Sequence, residues 1–245
     1  MAVKPILFNK EMVQAILSGQ KTQTRRLVKP QPVPDNCKNE AEEGDVIMYY
    51  GELCKLRSPK SNRRYAGELD AIPMHPYKPG DILYVRETWK KVCATEDYYE
   101  FGDVVSSEEL FGFKYCADNS IVWDERKPRS NEFFNYDITE ELVWHPSIHM
   151  PKKAARIFLE VTDVRIERLQ GITIDGCKKE GIWDDYKTFS EKYHENLIQR
   201  AYPVVFAKLW DSTIKPADID RYGWAANPWV WVIEFERCEK PEVAA

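Results

Sequence analysis

No stretch of this chain approaches the roughly eighteen consecutive apolar residues that a membrane-spanning helix requires, so no membrane partner is expected. The opening Met1-Ala2-Val3-Lys4-Pro5-Ile6 also lacks the apolar core of a secretory leader, which points to the cytoplasm. Cys-x-x-Cys pairs are missing. Cys37, Cys54, Cys93, Cys116, Cys177 and Cys238 are scattered, so free thiols are expected rather than a disulfide framework. Metal ligands are sparse as well. His145 and His149 stand four apart, but Pro146 and Pro151 interrupt the helix that would align them, and no metal is expected. Internal repeats and low-complexity tracts are absent, and no cofactor is expected. Nor is there an excess of positive charge. The formal net charge of −5 argues against a protein that grips long nucleic acid mainly by neutralising phosphates.

What the chain does have is length for one large or two small domains, and many rings. Its aromatic share of 13% predicts β structure and flat ring-lined surfaces. Val3 to Phe8 reads as a strand and Lys10 to Ser18 as a helix, with Asn9 as its cap and Gly19 as its stop. Further strands are expected at Val46 to Tyr50, Ile82 to Trp89, Ala155 to Leu169 and Trp229 to Arg237, and a hairpin around Phe113 to Trp123. Thr173 is placed to cap a short helix ending at Glu180-Gly181. A longer helix from Ser190 to Asp211 should break or kink at Pro203. Period-2 strands separated by short helices, with no βαβ series, predict a single α+β domain. Its centre would be a mixed β-barrel of about six strands with flanking helices. The polar segment 35–74 and the acidic, aromatic segment 92–144 read as surface insertions.

The densest chemistry lies in Gly19-Gln20-Lys21-Thr22-Gln23-Thr24-Arg25-Arg26, which sets a potential base (Lys21), a potential nucleophile (Thr24) and two fixed cations directly after a helix stop. A basic helix end that complements the dipole is one reading; a site for an anion or nucleotide is the other. Lys21 and Thr24 would project to opposite sides of an extended strand, so a joint site needs that segment bent. At the end of the strand beginning at Ile82, Arg86, Glu87 and Trp89 either line a substrate pocket or mark where the sheet opens to water.

The N-terminal segment, Lys78-Pro79-Gly80-Asp81-Ile82-Leu83-Tyr84-Val85, the strand Ile157 to Val164, Ile172-Thr173-Ile174-Asp175 to Glu180-Gly181-Ile182 and Trp229-Val230-Trp231-Val232-Ile233-Glu234-Phe235 occur in an order that resembles the ASCH domain, a PUA-like β-barrel. Val85-Arg86-Glu87-Thr88-Trp89, Pro146-Ser147-Ile148-His149-Met150-Pro151 and Asn227-Pro228-Trp229-Val230-Trp231 resemble the larger ASCH-like proteins of phages and prophages. Small members include amidohydrolases of N4-acetylcytidine. Matched by position, the resemblance implies Lys21, Thr24 and Glu180 as the catalytic set, with Arg26 and Arg25 placing substrate. A neutral Lys21 would take the proton of Thr24, and Glu180 could instead hold the amino edge of the base. The same residues could serve a non-catalytic module that reads RNA or a modified nucleotide. A phage accessory protein whose insertions contact another protein is a third reading.

Overall fold

The chain is a mixed α+β protein built mostly of strands. A computed structural model describes residues 2–29, 31, 46–50, 53–57, 77–182 and 195–241, with backbone alone at 46–50, 53–57 and 195–200. In chain order come β1 (Val3–Leu7), α1 (Lys10–Leu17), β2 (Gln23–Leu27), β3 (Val46–Tyr50) and β4 (Leu53–Arg57). Next are β5 (Ile82–Arg86), β6 (Trp89–Glu100), β7 (Asp103–Tyr115), β8 (Ile121–Trp123) and β9 (Phe134–Glu140). Then follow β10 (Phe158–Arg168), α2 (Ile174–Lys179), α3 (Glu195–Thr213) and β11 (Trp229–Cys238). Most of the expected 35–74 insertion, with the side chains of its basic residues Lys55, Arg57, Lys60, Arg63 and Arg64, lies outside the described residues.

Two compact units emerge from this order. The first draws on Ser18–Asp81 and Glu160–Glu236, the second on Val3–Leu17, Ile82–Leu159 and the chain from Arg237. In the first unit, β11 is flanked by β10 and an antiparallel β2, while β3 bridges β10 to β4. Its core gathers Leu169, Cys177, Tyr202, Phe206, Trp210, Val230 and Val232. Strands β4 and β2 end this array without pairing to each other, so among the described residues the expected closed barrel is replaced by an open sheet. The helix α3 runs through Pro203 rather than stopping there. A mid-helix proline costs about 3 kcal/mol. Tyr202, Phe206 and Trp210, spaced by one turn and all buried, each return about 1.5–3 kcal/mol from burial, which outweighs the break.

The second unit pairs β1 with β5 in parallel. Asn9 caps α1 by accepting a hydrogen bond from the Met12 N–H at 2.9 Å, and α1 buries Val13, Ala15 and Ile16. The segment expected to be a loosely patterned insertion is mostly a four-stranded antiparallel sheet in the order β8-β7-β6-β9. It includes the expected pairing around Phe113 to Trp123, with Lys114 opposite Ile121. A core of Ile82, Tyr84, Trp89, Phe113, Tyr115, Met150 and Phe158 supports this unit. No described helix is long and apolar enough to cross a membrane.

Candidate functional site

Gly19 ends the first helix at φ 77°, a backbone that glycine adopts without steric cost. The chain then passes between β11 and the end of α2. Thr22 N–H donates to Lys179 O, and Phe235 N–H donates to Thr22 O, both at 2.9 Å. Lys21 forms a β-bridge with Glu180, and from Gln23 the chain is a regular strand, with Thr24 opposite Ile233 and Arg25 opposite Val232. Glu180 is itself fixed. Thr173 Oγ1 accepts from Gly176 N–H at 3.0 Å to start α2, and Glu180 closes the helix ahead of Gly181 at φ 91°.

These constraints bring three charged side chains together in the first unit. Lys21 Nζ donates to Glu180 Oε2 at 2.7 Å and to Glu180 O at 3.0 Å. The ammonium therefore also answers the carbonyl end of α2, where a cation is favoured. Arg25 Nη1 donates to the other oxygen of Glu180 at 3.2 Å, and Nη2 donates to Glu167 at 3.3 Å. Lys21, Arg25 and Glu180 are 2%, 6% and 6% exposed. Burial pulls the pKa of Lys21 below 10.5. Glu180 opposes that shift, while Arg26 and Arg25 add to it. A lysine in this state is closer to acting as a base than a surface lysine is.

Neighbouring strand residues project to opposite faces. In β2, Thr24 and Arg26 alternate with Arg25 and stand opposite Ile233 and Trp231, while the Arg26 charge still acts on both Lys21 and Glu180. Lys21 itself precedes the regular strand and is held by its bridge to Glu180. Thr24 is 2% exposed. Burial also lowers the pKa of Arg26, with Glu180 and Tyr77 opposing.

A family match would decide what this arrangement is for. The sequence matches no family model, and neither a curated protein nor a solved structure matches the chain.

Sequence reasoning missed how far the charge network extends. Arg165 Nε donates to Glu167 at 2.6 Å, and its Nη1 donates to Glu234 at 2.7 Å and Asp163 at 2.9 Å. With its amide turned so that oxygen faces Arg25, Gln23 accepts from that guanidinium and donates to Glu234. Charges thus alternate from Lys21 through Glu180, Arg25, Glu167 and Arg165 to Glu234. The signal was available, because Asp163, Arg165 and Glu167 recur with period two between Val164 and Ile166.

Arg86, Glu87 and Trp89 have their own partners inside the second unit. Arg86 Nε donates to Met150 O at 2.9 Å. Glu87, 2% exposed, accepts from Arg156 Nε at 2.8 Å and Nη2 at 2.9 Å, so its carboxylate is held away from water. Burial raises the pKa of Glu87, against the pull of Arg156. Arg156 also donates to Asp118 at 2.8 Å and lies 4.0 Å over the Tyr115 ring. Trp89 is buried edge-on to Phe113 and close to His145, whose ring pairs with Glu141 at 2.7 Å. Among the described residues no three histidine, cysteine or acidic side chains gather as a metal site.

Proposed function

We propose that the first unit acts on a cytidine-like nucleoside, hydrolysing an acyl amide on its base as the ASCH-type amidohydrolases do. One observation carries this reading: a fully enclosed Lys21 with its pKa lowered by burial, 2.7 Å from Glu180. Acyl transfer from an amide needs a base, a nucleophile and a donor to the developing oxyanion. Lys21 is the base. Thr24, by resemblance, is the nucleophile that takes the acyl carbon as the C–N bond breaks. The released amine takes the proton that Lys21 accepted, and water then frees Thr24. Arg26 serves as positioning donor, and Glu180 holds the amino edge of the base.

The experiment is incubation of the purified protein with N4-acetylcytidine and detection of cytidine. Thr24→Ala should abolish turnover, whereas Arg26→Ala should cost roughly a hundred- to a thousandfold, the range for one stabilising donor. A second reading is favoured by the strand alternation, in which Thr24 does not share the side of β2 from which Arg25 reaches Glu180. In it the cluster binds a modified nucleoside or RNA base without chemistry. Absence of turnover together with binding that Lys21→Ala weakens selects this second reading, and absence of both removes the two together.

A further inference from the structure

Between Val92 and Phe113 the chain carries Glu96, Asp97, Glu100, Asp103, Glu108 and Glu109 and no lysine or arginine. This segment folds as the β6–β7 hairpin in the second unit, turning at Phe101-Gly102 between the paired Glu100 and Asp103. Two-residue turns of this kind need left-handed backbone and favour Asn-Gly. Phe101 adopts it at φ 55° and Gly102 at φ 91°. A bulky side chain is strained there, yet Phe101 is 100% exposed and gains nothing from its own fold. Val104 and Val105 beside it are 52% and 56% exposed.

The outer edge of this hairpin is open. Strand β8 covers β7 only from Gly112 to Lys114. Odd-numbered residues of β6 turn their main-chain groups toward β9: Tyr99 N–H donates to Phe133 O, and Lys91 O accepts from Glu141 N–H. Residues opposed in an antiparallel ladder share that orientation. Asp97 opposes Ser107 and Thr95 opposes Glu109, so the main-chain groups of Ser107 and Glu109 face outward. The same alternation turns Phe111 O outward, where it accepts from Asp124 N–H. All of Asp103–Glu109 is exposed, and no described strand pairs with this edge.

We propose that the outer edge of β7 takes an extended, basic segment of a partner protein as an added strand, with Phe101, Val104 and Val105 as the apolar contacts at its end. Open main-chain groups supply the affinity in this mode of recognition. Charge selects the partner. Arg126 is committed to Glu96 and Glu108, and Arg129 to Glu96. Asp97, Glu100, Asp103 and Glu109 have no ion-pair partner among the described residues. A second copy would set the same acidic edge against itself, which is unfavourable. Nucleic acid and anionic lipid are repelled for the same reason.

The test titrates a short fluorescein-labelled peptide of alternating lysine and valine into the full-length protein and follows its anisotropy. Ser107→Pro removes an outward N–H at an edge without changing charge, and should weaken binding by at least about tenfold. Glu109→Lys should weaken it by a similar factor, and Phe101→Ala by about threefold. Thermal melts check that each variant folds. In the wild type, peptide should slow amide exchange at Ser107 and Glu109, and this reading stands if Ser107→Pro does not fold. No binding, or binding in which both amides exchange as before, overturns strand addition. Undiminished binding in Glu109→Lys, or displacement of the peptide by a single-stranded RNA of the same length, overturns the basic protein segment as partner.

Discussion

Lys21 joins two requirements at one atom. Its ammonium answers the carbonyl end of α2 and the Glu180 carboxylate, while its burial resists the charge that both contacts favour. Removing one member of a buried pair costs about 3–5 kcal/mol, because the other charge is left uncompensated. Glu180→Leu should therefore destabilise the protein at neutral pH by about that amount, while Lys21→Met combined with Glu180→Leu should restore most of it. The pH dependence has a definite sign. Lys21 in the folded chain titrates below 10.5, so between that lowered value and 10.5 the unfolded chain holds a proton that the folded chain has released. Stability from this group rises with pH through that window. The cost of Glu180→Leu should accordingly shrink as alkaline pH is approached, measured by urea unfolding of both proteins. A cost that stays constant to high pH would mean that Lys21 is not the group left exposed to the loss.

Elements show where local pattern was sufficient and where it was not. The cap at Asn9, the stop at Gly19 and the Thr173 cap were legible because each depends on a few adjacent residues. The sequence leaves open whether α3 breaks or kinks at Pro203, because its continuity rests on tertiary burial of Tyr202, Phe206 and Trp210, which local propensity does not contain. The four-stranded sheet was largely hidden for a related reason. Its strands alternate around charged residues such as Glu96, buried only because Arg126 and Arg129 close over it. The same sheet offers a prediction about its own turn. Phe101 holds left-handed backbone with a fully exposed ring, whereas the other non-glycine residues with positive φ are Asn119 and Asn227 among the described residues. Phe101→Asn should stabilise the protein by about 1 kcal/mol in chemical denaturation, since asparagine tolerates this backbone. A loss of stability would show that the ring makes a contact in the isolated protein.

At the scale of the whole molecule, charge separates the two readings of the Lys21 cluster. A formal net charge of −5 works against any long polyanion. Arg25 and Lys21 do not form a phosphate track either, because each is enclosed and paired with a carboxylate. An uncharged nucleoside needs no such track. Binding or turnover of N4-acetylcytidine should therefore change by less than about twofold between 50 and 200 mM salt, since no counterions are released from the ligand. An RNA reader would behave differently. Each phosphate contact steepens the salt dependence, and even three contacts would weaken binding by more than about tenfold over the same range. Titration of the nucleoside and of a short single-stranded RNA at both salt concentrations decides between them. A steep decline for RNA with no measurable nucleoside affinity selects the RNA reader, provided that Lys21→Ala weakens the binding; RNA affinity that Lys21→Ala leaves unchanged removes both readings of the cluster.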